Sequence, residues 1–356
     1  MRFSTRTGIA ALTLGCSIFA FSPAQAQSKS TTLTFNWESA YGRQNVLVWP
    51  FRPGGRFEQL VTQHTGVTVK LDNKEKLFSI MDSAFAVGDG RVQMGTQSIP
   101  AASGTYPLFD FGGLPGLFSA MPEGANEYAE ALLDPKMLAA MDKFTEKAGF
   151  KVLGAAVSLA NNALWGNKAI RTVADFKGVK MRASGRTQTS ALRALGGSPI
   201  TLSMAEIEEA LGRGTVDAIT TSKSFGAERG LFPMAKFVSI WPVTPIFPQY
   251  ILINQKAWSG LDQRQKDGLL RAAAQLTREM PMPLEQMEAT YNLWIRSSKT
   301  EMVLPDEAEV RKAMGMMQPV YKEWLDTAGP VAKEVLSIAA KHAKGPSVGM
   351  AREMAK

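Results

Sequence analysis

Arg182 is the side chain in this sequence best placed to do chemistry. It lies in the block Gly178–Ser222, GVKMRASGRTQTSALRALGGSPITLSMAEIEEALGRGTVDAITTS. The apolar runs and turn residues of this block predict strand, helix, strand, helix, strand. Arg182 falls at the end of the first strand. A guanidinium is planar and always charged, and it can grip a carboxylate through two parallel hydrogen bonds. Open α/β sheets bind their ligands beyond the carboxyl ends of their strands. A fixed cation there suits an anionic ligand. On spacing alone, the commoner outcome is a solvated or salt-bridged surface arginine.

Little else in the chain points to catalysis. The two histidines, His64 and His342, are far apart and have no partner at metal-ligand spacing. No GxSxG elbow, GxxxxGK[ST] loop or GxGxxG fingerprint occurs. Gly112-Gly113-Leu114-Pro115-Gly116 is glycine-rich but lacks the strand-loop-helix setting that cradles phosphate. Cys16 is the sole cysteine. No carboxylate pair stands out as acid and base. The expectation is therefore a binding protein with no metal and no cofactor. An exported α/β enzyme is the alternative from another class.

The elements that must position Arg182 can be read from the rest of the chain. It has 356 residues, 45% hydrophobic and 20% charged, enough for two domains. The net charge of +8 is spread among acidic residues without a dense basic run, so nucleic acid is not an expected partner. Arg2 and Arg6, the apolar run Gly8–Phe21 and Ala24-Gln25-Ala26 read as a cleavable signal peptide. The mature chain is expected to start at Gln27, to lie in the periplasm and to have no cysteine. Thr13-Leu14-Gly15-Cys16 loosely resembles a lipoprotein cleavage site, but the apolar run continues past it. The run is short against the roughly 20 residues of a membrane span, and no other stretch is long enough.

Strands are expected at Leu33–Trp37, Val67–Leu71 and Arg91–Thr96, with helices ending near Gly66 and over Leu77–Val87. Such βα passes predict a parallel sheet. Asn126–Ala148 reads as helical with a break near Pro135. A second run opens with a strand at Val152–Ser158. Capping boxes are predicted at Thr172/Asp175 and Ser203/Glu206. Strands at Phe237–Trp241 and Tyr250–Asn254 are expected to return to the first domain. Trp258–Thr300 is a long helical region capped by Ser259, with Pro281 and Pro283 interrupting it. Pro305–Leu325 and Val331–Ala343 are terminal helices. Trp37, Trp165, Phe225 and Trp241 sit near strand ends or loops, where they serve as core or as pocket walls.

The block around Arg182 resembles the solute-binding proteins of TRAP transporters, of the dicarboxylate-binding type. The resemblance runs over most of the mature chain. It includes Thr65-Gly66, VADFKGVKMR at Val173–Arg182, ALGGSPI at Ala194–Ile200, AEIEEALGRGTVDA at Ala205–Ala218 and NQKAW at Asn254–Trp258. It implies two α/β domains that close on a ligand like a clamshell, with a long helix spanning both lobes. The implied division is 1–26 signal peptide, 27–150 domain I with 238–260 returning to it, and 151–237 domain II. Residues 261–300 form the spanning helical region and 301–356 the C-terminal helices. It also implies that Arg182 pairs with a ligand carboxylate. Thr221 stands where the family often has asparagine, and Met204 where an aromatic residue is common. A second basic residue of some members falls near Asn162. Thr221, Gln97 and Ser98 are then candidate polar contacts, and Trp37, Trp165, Met204 and Phe225 candidate walls. The implied partners are a small organic acid, with a monocarboxylate of apolar or aromatic body favoured, and the TRAP membrane subunits. A receptor for an ATP-driven or tripartite tricarboxylate uptake system is the alternative within the binding class.

Overall fold

The computed structural model describes residues 1, 29–37, 49–79, 82–98, 102–158, 163–202, 206–243 and 246–356. The expected targeting segment, with Cys16, lies outside the described residues. So do Ser203, Met204 and Asn162.

The described strands form two sheets. The first has the order β2-β1-β3-β10-β4, with β1 at Thr31–Trp37, β2 at Val69–Glu75, β3 at Met94–Ser98, β4 at Phe150–Ser158 and β10 at Phe247–Asn254. The second has the order β11-β9-β5-β8-β6-β7. Its strands are β5 (Ala163–Gly166), β6 (Lys180–Ala183), β7 (Ser198–Thr201), β8 (Ala218–Thr221), β9 (Phe237–Ile240) and β11 (Glu301–Val303). β1 runs parallel to β2 and β3, and β6 runs parallel to β7 and β8. β10 is antiparallel to β3 and β4, and β5 is antiparallel to β8 and β9.

Alternation in β1 buries Leu33, Phe35 and Trp37. Phe35 meets Phe51 and Phe57 beneath the helix Arg56–Thr65. That helix ends at Gly66, whose φ of 62° and N–H bond to the Thr62 carbonyl close its last turn. On the opposite face, Asn36 donates to Ser83 Oγ and accepts from the Phe78 amide. A core polar group is tolerated when it is satisfied in this way.

Gly178–Ser222 folds as its pattern predicts: β6, the helix Arg186–Ala194, β7, the helix Ile207–Gly212 and β8. Gly178 and Gly214 take positive φ in the turns that lead into β6 and β8. The Thr172/Asp175 capping box is formed, on a 3-10 turn at Val173–Phe176. The helical segment before β4 breaks at Asp134, which caps the helix Pro135–Thr145.

Several expectations need correction. β4, expected to open the second run, pairs with β10 in the first sheet. β9, expected to return to the first sheet, pairs with β5 in the second. Apolar runs show that a strand exists, but not which sheet it joins. The helix expected over Leu77–Val87 covers only Ser83–Gly88. Ser259 ends a short helix, Gln255–Ser259, and Asp262 caps the next helix through a box with Gln265.

That next helix, Gln263–Glu279, is followed after one residue by Pro281–Ser297. Met280 keeps helical dihedrals, φ −63° and ψ −35°. Pro281 and Pro283 supply no N–H to the Thr277 and Glu279 carbonyls, so the ladder opens without the chain turning away. The prolines make a joint rather than a stop. The first half packs on β4 and the helix Arg56–Thr65, and the second half mainly on the helix Lys223–Glu228 and β11, with lesser contact to β4.

Candidate functional site

The chain crosses between the sheets at points that place their edges opposite one another. β4 ends at Ser158 and β5 begins at Ala163, a step of at most about 18 Å. β9 ends at Ile240 and β10 begins at Phe247. In register, Phe247 pairs with Ser158 and Gln249 with Ser98, so the carboxyl ends of β3 and β4 and the start of β10 share one edge. Ala163 pairs with both Thr221 and Ile240, so the start of β5 and the carboxyl ends of β8 and β9 share the facing edge. A direct contact joins the two edges: Ser103 Oγ, shortly after β3, accepts from the Arg186 amide, shortly after β6, at 3.2 Å.

Arg182 lies on the second edge, 4% exposed, in register with Ile200 and Ile219. Its Nε donates to the Leu202 carbonyl and its Nη1 to the Thr220 carbonyl, both at 3.2 Å. These two bonds fix the guanidinium plane between β8 and the end of β7. Thr221 is buried at the end of β8. Phe225 follows on the helix Lys223–Glu228, whose N-cap Ser222 accepts from the Phe225 amide. Trp165 is fully buried in β5 between Ile219 and Val238, with Phe232 edge-on to its ring.

Trp37, Gln97 and Ser98 lie on the first edge, all buried. Gln97 accepts from the Ala84 amide and donates to the Ser98 carbonyl, so its side chain serves the start of the helix Ser83–Gly88. The expected residues thus lie at the edges of the two sheets, Trp37, Gln97 and Ser98 on the first and Arg182, Thr221, Trp165 and Phe225 on or beside the second, with Met204 outside the described residues. Trp241 belongs to neither: it is fully buried against Phe176 and donates to the Ile170 carbonyl. His64 and His342 are bonded to Gln275 and Asp134, and no metal-holding group occurs among the described residues.

Several buried ionisable groups are hydrogen-bonded or paired. Asp110 accepts from Thr187 at the start of the helix Arg186–Ala194, and burial pushes its carboxyl up to about 6. Tyr128 and Tyr250 bond to each other beside it, and burial raises both phenols. Lys223, just beyond β8, pairs with Glu288 and donates to Asn292 Oδ1, both on the helix Pro281–Ser297. A separate depression lined by Lys168, Lys177 and Asp217 lies at the amino edge of β6, away from these groups.

Residues 55–327 match the family described as bacterial extracellular solute-binding protein, family 7. The chain belongs to this family. Among curated proteins, it is 25% identical to the sialic acid-binding periplasmic protein SiaP of Vibrio cholerae over 181 residues, 48% of this chain and 53% of that one. That match spans about half the relative's length. Among solved structures, the extracytoplasmic solute receptor DctP7 of Bordetella pertussis, which binds pyroglutamic acid, superposes with a TM-score of 0.73 at 17% identity. The match covers 87% of this chain and 99% of that one. A TRAP periplasmic solute-binding protein of Sulfitobacter with bound beta-D-galacturonate gives 0.71 at 21%, over 86% and 99%. At such identities the likeness is one of fold: a two-domain α/β clamshell.

Within this family 7 fold, sequence reading passed over Gln249 and Thr220. Both are fully buried at the facing edges. Gln249 owes its place to the antiparallel register of β10 with β3, which no local pattern announces. Thr220 is adjacent to Thr221, and its carbonyl holds Arg182.

Proposed function

We propose that the protein is an extracytoplasmic receptor that captures a small organic acid and hands it to the membrane subunits of a TRAP transporter. Arg182 takes the ligand's carboxylate. The observation that supports this most is its buried position at the edge facing the first sheet, with its plane set by two backbone carbonyls. A preset fork loses little freedom on binding and presents parallel donors to a planar anion. Thr221, Gln97 and Ser98 are the candidate polar contacts, and Trp37, Trp165, Met204 and Phe225 the candidate walls. The favoured ligand is a monocarboxylate with an apolar or aromatic body. The chain binds this acid without transforming it, works in the periplasm after removal of residues 1–26, and does not itself enter the bilayer. Among the described residues no helix is long and apolar enough to cross a membrane.

Each sheet with its helices forms one lobe, and ligand favours the closed arrangement through contacts that only that arrangement completes. Pyroglutamate, bound by the Bordetella receptor, is a suitable first probe. Mass spectrometry of acid copurified with the protein identifies the native ligand. Titration calorimetry of that acid then tests Arg182. Arg182→Lys keeps the charge but loses the fork, so affinity is expected to fall tenfold or more, about 1.4 kcal/mol. Unchanged affinity in Arg182→Ala removes Arg182 from the site. Stabilisation only by dicarboxylates or polyhydroxylated sugar acids would sink the monocarboxylate reading.

A further inference from the structure

The edge of the first sheet carries a patch of buried hydrogen-bonding groups that the protein leaves incomplete. Trp37 Nε1, Ser98 Oγ and Gln249 Oε1 are enclosed and have no hydrogen-bond partner among the described residues. The three residues are 3%, 1% and 0% exposed. They also share one face. Phe35 pairs with Met94 in parallel register, which places Trp37 on the face of Thr96 and Ser98. Gln249 is opposite Ser98, and its Nε2 donates to Thr96 Oγ1 at 2.8 Å. One end of this amide is therefore engaged and the other is open.

A buried donor or acceptor without a partner forfeits the hydrogen bond it would make to water and is therefore costly. Native cores keep few such atoms, and those they keep ask for a bound partner. Three of them, from β1, β3 and β10, share one face at the same edge of the first sheet, the edge that also carries the Ser103 contact to the Arg186 amide.

We infer that Trp37, Ser98 and Gln249 form the subsite for a neutral polar group carried by the acid, at its end away from the carboxylate. The inference rests on Arg182 as the carboxylate anchor. Trp37 Nε1 only donates, Gln249 Oε1 only accepts, and the Ser98 hydroxyl does either. The group that satisfies them must both accept and donate. A hydroxyl does so, and so does an amide or lactam with its adjacent C=O and N–H. A bare hydrocarbon end leaves all three orphaned. A second carboxylate would set its charge against the Gln249 carbonyl, and none of these three side chains has a charge to offset it. The ligand class is therefore a compact monocarboxylic acid bearing one hydroxyl or amide. Sites built around buried polar groups reject analogues that lack the matching group more strongly than apolar pockets reject an extra one.

Matched acids test this by calorimetry: pyroglutamate against cyclopentanecarboxylate, lactate against propionate, 3-hydroxybutyrate against butyrate, and 4-hydroxyphenylacetate against phenylacetate. In at least one pair the functionalised acid is expected to bind tenfold or more tightly than its partner. Gln249→Met, of similar length but without the amide, should remove that preference by weakening only the functionalised acid. Ser98→Ala provides the same readout should the first variant melt early. Arg182→Ala should weaken both members together. Equal affinities within every pair, as for a patch that only holds water, overturn the subsite. So does binding of none of these acids, or a preference that survives both Gln249→Met and Ser98→Ala. A preference that is retained while Arg182→Ala costs nothing overturns the carboxylate anchor instead.

Discussion

At Trp165 the packing can be read atom by atom. A Cβ added to Gly226 would lie 2.2 Å from Trp165 Cε2 and 2.4 Å from its Nε1. The helix Lys223–Glu228 thus rides directly on the indole, while Phe232 meets the same ring edge-on. Gly226→Ala gains about 1 kcal/mol of helix propensity but must displace the ring. Overpacking of this kind costs about 1–3 kcal/mol, so a net loss of stability is expected. Calorimetric melting should show a lower midpoint, and a variant melting at or above the parent would mean that the ring yields freely. Nothing in the local sequence announces this demand on Gly226, because the ring arrives from another strand. The position of Arg182 near a strand end was legible for the opposite reason: its strand, its turn and its neighbours are contiguous. Gln249 was not, since its meaning comes from lying opposite Ser98 on a strand far along the chain.

Among the elements, the helix Arg186–Ala194 links the second sheet to the segment that follows β3. It follows β6 directly, and its first turn is held by Ser103 and Asp110 from the segment after β3. A carboxylate suits a helix N-terminus, but Asp110 is buried, and burial outweighs the Thr187 bonds and pushes the carboxyl up to about 6. A carboxyl raised in the folded state favours folding most below the ordinary value of 3.8. That contribution fades as pH rises through about 6, and it amounts to at most about 3 kcal/mol. Asp110→Asn keeps an acceptor for Thr187 and removes the titration. Relative to the parent, the variant should therefore gain stability between pH 4.5 and 7.5. Urea unfolding of both proteins at the two pH values measures this, and a difference that does not vary with pH would mean that Asp110 stays in one charge state throughout. The elements themselves were largely visible in the sequence, since the apolar runs, the glycines and the Thr172/Asp175 box are local signals. Their assignment to sheets was not. β4 and β9 each follow the chain across an edge, and only pairing decides which sheet receives them.

In the molecule as a whole, three links join the sheets: β4 to β5, β9 to β10, and the helix pair jointed at Met280. The first two are short stretches of chain. The third is a rigid rod at each end, and each end is anchored. Arg56 clasps Glu279 at the end of the first rod with bonds of 2.7 and 2.6 Å, which hold that carboxyl below its ordinary range. Glu288 pairs with Lys223, and Tyr291 donates to Glu228, binding the second rod to the helix after β8. Bending is thereby favoured in the residues between, where Pro281 and Pro283 leave two carbonyls without helical donors. Closure of the lobes on a ligand should bend the chain there. Replacing both prolines with alanine restores the donors and makes one stiff helix, so the bound arrangement becomes harder to reach. A ligand pays for a rarely populated competent state through its apparent affinity. The double variant should therefore bind the copurified acid several-fold more weakly and show less compaction on binding by small-angle scattering. Its melting midpoint should be equal to or above that of the parent, because a continuous helix is intrinsically more stable. Affinity and compaction both equal to those of the parent would place the bend at the two strand crossings instead.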